Sequence, residues 1–395
     1  MSSPREVIIS LSKRTAVGSF QGDLSTVPAP KLGATVIESL ISESNLNPET
    51  IDEVIMGNVL AAGLGQAPAR QAALSGGLPN SVECLTINKM CGSGLKAIML
   101  ASQSIQVGDA NIIIAGGMEN MSQAPYLLPK ARSGYRLGHG QLLDSMIKDG
   151  LWDVTNDIHM GNCAELCAKD RNYSRESQDA FAKDSYEKAL KAQKDGLFQD
   201  EIVPVSIPQR KGDPLTVDVD EEPGRANFDK MTKLRSAFEK EGTITAANAS
   251  KINDGAAAVI VQSMNSVVAS MKPLFKIISQ ASAAHAPEWF TTAPSKAIGK
   301  VLEKAKLTAS DIDLWEINEA FAPVTMAAIE DFNLESSKVN VHGGAIAIGH
   351  PIGASGARIL TTLLHAMERY QSQFGLATLC IGGGEASALI VERIS

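Results

Sequence analysis

The sequence predicts a layered α/β protein: two copies of one core unit, with a polar segment inserted between them. Three observations carry that prediction. A set of landmarks recurs in the same order, continuous apolar strands alternate with helical patterns, and a charged middle segment fits neither copy. The two sets of landmarks lie about 260 residues apart along the chain.

In the first copy, Ala29-Pro30 opens a helical pattern. Proline suits the first helical turn, where its missing N–H costs nothing. Residues 51–58 then read as a strand. Gly92-Ser-Gly94 opens an apolar helix, and residues 111–115 read as a buried strand that Gly116-Gly117 closes. In the second copy Ala293-Pro294 opens the helix and residues 312–319 hold the strand. Ala354-Ser-Gly356 opens the next helix, and the strand 376–380 is closed by Ile381-Gly-Gly-Gly384. Strands that are apolar on both faces belong in sheets covered by helices on both sides. The copies are expected to pair about a pseudo-two-fold axis, with sites where corresponding turns meet.

The first core half spans 1–120 and is completed by about 250–272; the second spans 273–395. Residues 121–249 form the inserted domain, which holds charged stretches such as Lys169-Asp-Arg171. An amphipathic helix is predicted over 175–196 with Ser174 as its N-cap. An insertion this long argues for a binding role.

Composition narrows the function. The chain has 395 residues, 44% of them hydrophobic and 20% charged, which suits a large core and excludes disorder. The net charge of −8 argues against a nucleic-acid partner. No run of 18 apolar residues is present, so no membrane span is expected. The first ten residues show neither a signal-peptide core nor an Arg-rich presequence. Five cysteines are too few and too scattered for a disulfide framework, and a cytoplasmic protein is expected.

Cys91 lies in Asn88-Lys-Met-Cys-Gly-Ser-Gly-Leu95, at a predicted strand-to-helix turn. A helix N-terminus is expected to lower the thiol pKa and favour thiolate. Such a turn also presents backbone N–H groups to an oxyanion. His350 lies in a glycine-rich loop before the counterpart helix, so the repeat places it beside Cys91 as the partner that activates a thiol. Cys380 ends a buried strand ahead of Gly382-Gly-Gly384 and fits a proton donor and acceptor. Asn318 follows the strand 314–317, where its amide can hold a water or polarise a carbonyl. A zinc site at His159, Cys163 and Cys167 is disfavoured, because ligands in one line along a helix cannot converge on one tetrahedral ion. No phosphate-cradling glycine motif is present.

Together, Asn88–Leu95, Asn318-Glu-Ala-Phe-Ala322, Gly343-Gly-Ala-Ile-Ala-Ile-Gly-His-Pro351 and Cys380-Ile-Gly-Gly-Gly384 resemble the thiolase family over essentially the whole chain. Within it, the chain is most similar to acetoacetyl-CoA thiolases of the mitochondrial type. The resemblance implies a duplicated αβαβα core with an inserted loop domain that binds coenzyme A, and a homotetramer. It implies acetyl-CoA C-acetyltransferase activity: condensation of two acetyl-CoA to acetoacetyl-CoA and CoA, and the reverse thiolysis. Cys91 would carry the acetyl group, and His350 would take its proton. Cys380 would move the proton of the second substrate. His350 and a water on Asn318 would hold the enolate oxygen, and the N–H groups of Cys91 and Gly382 the thioester oxygen.

By the same resemblance, coenzyme A would be bound as substrate, with no covalent cofactor. Its contacts would be Leu151, His159, Met160, Tyr186, Arg225, Ala226, Asn227, Lys230, Ser250 and Phe290. A potassium ion is implied at Tyr186 and the carbonyls of Ala246, Ala247, Ala249 and Ile346. Asn227 stands where the family pattern has Asp, and two further residues depart from that pattern. Lys251 follows Ser250 where a small or neutral residue is usual, and is expected to touch a CoA phosphate or face water. Glu385 follows the glycine triplet and is expected to point away from Cys380. The rival readings are a degradative 3-ketoacyl-CoA thiolase of broader chain length, a decarboxylating condensing enzyme and a non-catalytic CoA- or lipid-binding protein. The second cysteine argues against a condensing enzyme, and the presence of both cysteines argues against the non-catalytic reading.

Overall fold

The computed structural model describes residues 5–267, 271–272 and 274–394. The predicted boundary between the core halves falls at Pro273, outside the described residues. Nine strands form the path of the main sheet: β1 (Val7–Thr15), β2 (Glu53–Gly57), β3 (Glu83–Ile87), β4 (Ile112–Asn120), β5 (Asn253–Ser263), β6 (Phe275–Ala284), β7 (Leu314–Ile317), β8 (Phe374–Ile381) and β9 (Glu385–Arg393). Their order is β7-β8-β9-β6-β1-β5-β4-β2-β3.

The duplication is visible in this order. In the first half β2 and β4 are parallel, β4 and β5 antiparallel, and β5 and β1 antiparallel. In the second half β7 and β8, β8 and β9, and β9 and β6 repeat those three pairings in sequence. Even the β2–β3 pair has a remnant, a parallel bridge between Trp315 and Val339. The halves are joined edge to edge through Ile8↔Lys276 and Ile9↔Phe275, so the strands run as one path.

Five layers result. α1 (Ala29–Ser44) and α2 (Pro68–Ser75) cover the outer face of the first half, burying Leu32, Ile37 and Leu40 against Ile114 and Ile260. α3 (Ser93–Val107) lies in the middle layer beside α8 (Ser355–Tyr370) and packs on both halves of the sheet. The inserted segment contributes α4 (Met160–Asp170) and α5 (Arg175–Lys194). α6 (Ala293–Ala305) and α7 (Ala322–Phe332) cover the outer face of the second half. The middle helices touch backbone to backbone: a Cβ on Gly94 would lie 2.8 Å from the Ala357 nitrogen, and one on Gly356 2.4 Å from the Leu95 nitrogen. The small residues quoted at both helix starts are therefore demanded by helix contact.

The predicted starts hold. Pro30 and Pro294 sit in the first turns of α1 and α6, and the Ser174 hydroxyl accepts the Ser177 N–H at 3.1 Å to cap α5. One expectation fails. Gly116-Gly117 does not close β4, which runs on to Asn120. A Cβ on Gly117 would sit 2.0 Å from the Gly353 oxygen, so this glycine admits a close neighbour rather than turning the chain. In the second half the glycines do turn the chain. Gly383 and Gly384 have φ of 93° and 82°, and they join β8 directly to β9. The corresponding connection in the first half carries all of residues 121–252. A fully buried guanidinium ties that insertion to the core: Arg14 on β1 donates to Glu201 at 2.6 Å and to both Asp220 oxygens at 2.7 and 2.9 Å.

Candidate active site

The turn before α3 is braced by two side chains. The Asn88 Oδ1 accepts the Met90 N–H at 2.9 Å. The Ser93 hydroxyl accepts the Lys89 N–H at 2.8 Å and donates to the Met90 carbonyl at 2.6 Å. Met90 is held at φ 47°, a left-handed conformation that a non-glycine residue adopts only when its surroundings enforce it. The result is an elbow that sets Cys91 immediately before Gly92, the N-cap of α3.

The pseudo-symmetric turn presents His350. Gly349 has φ 119°, and a Cβ there would press on the Asn253 side chain at 2.6 Å. Asn253 Oδ1 accepts the His350 N–H at 2.8 Å. The imidazole Nδ1 lies 2.6 Å from the Ser355 hydroxyl, which itself donates to the Pro351 carbonyl at 2.9 Å. A hydroxyl has one hydrogen. Ser355 therefore accepts from Nδ1–H, and the other ring nitrogen, Nε2, carries the lone pair. Burial pulls the imidazole down to about 3, with Arg358 adding to the shift, so the ring is neutral at ordinary pH. Nε2 has no hydrogen-bond partner among the described residues.

Cys380 stands one residue before the end of β8, opposite Ala386 and fully buried. The N–H groups of Gly382 and of Cys91 itself reach the Cys91 sulfur. Burial nevertheless pushes the Cys91 thiol up to about 11, and those two donors only moderate the rise. This corrects the expectation that the helix N-terminus favours thiolate: desolvation is the larger effect here. Cys380 is likewise raised well above the ordinary thiol range, by burial first and then by proximity to Cys91. The resting pair is a neutral thiol beside a neutral imidazole. Asn318 extends the β7–β8 ladder through its N–H to Thr378, and its amide nitrogen lies 3.5 Å from His350 Nδ1.

Buried Glu119 ties the segment after β2 to the His350 turn. Glu119 accepts the N–H groups of Val59, Leu60 and Gly353 at 2.9–3.1 Å, and Asn58 at 2.8 Å. Glu385 pairs with Lys89 and so ties the Cys91 turn to the turn between β8 and β9.

Cys91, His350 and Gly382 line one cavity of about 270 Å³. Of the expected coenzyme A contacts, Leu151, His159, Met160, Ser250 and Phe290 line it as well. Phe238 and Phe321 complete an aromatic wall, with Phe321 edge-on to Phe290 at 6.2 Å and His159 stacked on Phe238 at 4.8 Å. Arg225, Ala226, Asn227 and Lys230 lie instead on a turn outside the cavity. Asn227 caps that turn through the Lys230 N–H, and Arg225 and Lys230 are exposed. Tyr186 is buried edge-on to Phe228 at 6.3 Å. His159, Cys163 and Cys167 do not converge: the His159 Nδ1 accepts the Gly161 N–H at 3.0 Å and caps α4. Among the described residues no group of three such ligands is placed to hold a metal ion.

Lys251 neither faces open water nor waits free for a phosphate. Its ammonium donates to the carbonyls of Ala246 at 2.5 Å and Ala249 at 3.0 Å, and sits 5.7 Å from the Tyr186 ring centre. Two of the carbonyls expected for potassium are thus engaged by a side-chain cation.

Comparison with known proteins agrees with this geometry. The model of the thiolase N-terminal domain matches residues 7–265, and that of the thiolase C-terminal domain matches residues 271–393. The chain belongs to the thiolase family. This thiolase is 54% identical over 390 residues to an acetyl-CoA acetyltransferase of Cupriavidus necator, covering 98% of this chain and 99% of that one. It is 50% identical to acetyl-CoA acetyltransferase 2 of Arabidopsis thaliana, covering 99% and 98%. Among solved structures, the acetyl-CoA acetyltransferase of Bacillus anthracis superposes with a TM-score of 0.97 at 37% identity, with both chains fully covered. A thiolase of Ascaris suum in complex with coenzyme A gives 0.93 at 44% identity, covering 99% of this chain and all of that one.

Sequence reasoning on this thiolase left out Ser355, Asn253 and Glu119. Ser355 was nonetheless readable. It is the repeat counterpart of Ser93, and both serines brace the turn that presents a reactive side chain.

Proposed function

We propose that this thiolase is an acetyl-CoA C-acetyltransferase, and that one observation carries the reading: a neutral cysteine–histidine pair lines one aromatic-walled cavity, and a second, buried thiol packs in the cluster that forms its Phe290–Phe321 wall. In the cleavage direction the Cys91 thiol attacks the 3-keto carbon of acetoacetyl-CoA while its proton passes to His350 Nε2. The bond between C2 and C3 breaks, leaving acetyl on Cys91 and the enolate of acetyl-CoA. Cys380, kept neutral by its raised pKa, gives its proton to that enolate. Coenzyme A then takes the acetyl group from Cys91: the proton of its thiol passes to the Cys380 thiolate, and Cys91 leaves with the proton held by His350. Condensation runs the same steps backward: acetyl-CoA acylates Cys91 and releases coenzyme A, and the Cys380 thiolate then takes a methyl proton of the second acetyl-CoA. The N–H groups of Cys91 and Gly382 are the donors for the thioester oxyanion; one such donor contributes about a hundred- to a thousandfold in rate. Asn318 and His350 serve the enolate oxygen.

The inserted segment 121–249 is the coenzyme A carrier in this reading, with Arg225 and Lys230 supplying positive charge near the nucleotide phosphates. Homotetramer assembly is supported by the apolar side chains of Tyr126, Leu137 and Leu142, which are 65%, 99% and 66% exposed on one inserted loop. A cytoplasmic location fits a chain in which no described helix is long and apolar enough to cross a membrane.

A small cavity walled by Phe290 and Phe321 favours the short substrate over the degradative reading. The kcat/KM for thiolysis of acetoacetyl-CoA should exceed that for longer 3-ketoacyl-CoA chains by about tenfold or more. A preference for the longer chains would reverse the substrate assignment.

Ser355 is a positioning residue, since it fixes which ring nitrogen of His350 holds the proton. Ser355→Ala should lower kcat about ten- to a hundredfold, part of what a positioned base contributes, with KM for acetyl-CoA little changed. Ser355→Thr, which keeps the hydroxyl, should recover most of the rate. Equal rates in all three proteins would remove Ser355 from the mechanism.

A further inference from the structure

The loop that carries Ser250 into the cavity is built around a lysine. Asn248 Oδ1 accepts the Thr245 N–H at 2.7 Å, and the Ala249 N–H donates to the Thr245 carbonyl at 3.1 Å. That turn aims the carbonyls of Ala246 and Ala249 at a single point, and the Lys251 ammonium occupies it. The Tyr186 ring supplies the third face; burial pulls the ammonium down to about 8, nearby Glu222 opposes that fall, and the group stays charged at neutral pH. Two carbonyl oxygens and a π face are the surroundings that a compact cation requires.

The same loop is fastened to the Asn318 motif. The Ser250 N–H donates to the Ala320 carbonyl at 2.9 Å, the Ala322 N–H donates to the Asn248 carbonyl at 2.9 Å, and Ala249 bridges Phe321. Whatever holds Ala246 and Ala249 in place therefore also positions Ser250 and the strand end that carries Asn318. On the other side, Tyr186 packs on Phe228 within the turn that bears Arg225 and Lys230. Lys251 thus stands between the cavity wall and the exposed basic turn.

We propose that Lys251 is a tethered cation that sets the acyl-CoA wall of the cavity and takes the place of a free potassium ion at Ala246, Ala249 and Tyr186. The expected potassium set does not fit a resident ion. A metal ion on the same two oxygens would lie against an ammonium already bonded to them, and like charges at that distance repel. The inference rests on the acyl-CoA reading only for its kinetic arm.

The test compares the wild type, Lys251→Ala and Lys251→Met in potassium, sodium and ammonium chloride at equal ionic strength. Melting temperature and KM for acetyl-CoA are read in each. The wild type should give the same melting temperature and KM in all three salts. Lys251→Ala should melt lower in sodium and show KM raised about fivefold or more, and potassium or ammonium should reverse both changes. Lys251→Met, which fills the space without charge, should be impaired in every salt. A wild type that responds to potassium over sodium would overturn the proposal. So would a Lys251→Met protein with wild-type melting temperature and KM, and this variant decides the matter if Lys251→Ala does not fold. Melting temperature needs no turnover, so an inactive protein would count against the functional reading and leave this test intact.

Discussion

Cys91→Ala should abolish acetoacetyl-CoA thiolysis and acetyl-CoA condensation together, by about ten-thousandfold or more, as loss of a covalent nucleophile does in other acyl-transfer enzymes. No other thiol can replace it. Cys84, Cys163 and Cys167 do not line the cavity, and burial holds Cys380 as the neutral thiol. The fold should survive. The substitution deletes one sulfur from a half-buried site, a change of about 1 kcal/mol in apolar burial. The elbow is held by Asn88 and Ser93 rather than by the thiol. Circular dichroism and melting should therefore match the wild type while steady-state rates in both directions vanish. Retained turnover would show that the acyl group passes through another residue.

Cys380→Ala should separate the half-reactions. Acylation of Cys91 by acetyl-CoA needs the sulfur, His350 and the two N–H donors; without Cys380, His350 can pass the Cys91 proton to the departing coenzyme A. Carbon–carbon bond formation needs a base at the second substrate. The variant should accumulate acetyl-Cys91 from acetyl-CoA, and it should exchange acetyl groups with free coenzyme A at a rate near that of the wild type. Condensation should fall about a hundred- to ten-thousandfold, the range for a lost general acid–base group. Equal loss of exchange and condensation would mean that Cys380 acts on acylation instead.

The sequence was informative wherever chemistry and symmetry spoke together. The repeat points to two like layered halves and to the Cys91 and His350 turns as partners; the strand pairings themselves are visible only in the fold. It failed where three-dimensional contact decides. Gly116-Gly117 looks like a strand end in one dimension, yet it admits the α8 turn against β4. The direction of the Cys91 shift depends on how much water the site excludes, and a helix N-terminus visible in sequence does not measure that. In sequence, Lys251 reads as a contact to a coenzyme A phosphate or a charge facing water. Only the fold shows that the preceding turn points two carbonyls back at it. The coenzyme A contacts divide similarly: one group lines the cavity, and the other lies on the 223–231 turn, a separation that spacing along the chain does not reveal.

The acyl-enzyme is the claim on which the rest depends. The wild-type protein would be mixed with acetyl-CoA, quenched in acid and digested, and its peptides read by mass spectrometry. The account predicts one acetyl group, on the peptide that contains Cys91, and its loss when coenzyme A is added before the quench. An acetyl group on Cys380, or none on any cysteine of a protein that cleaves acetoacetyl-CoA, would contradict it.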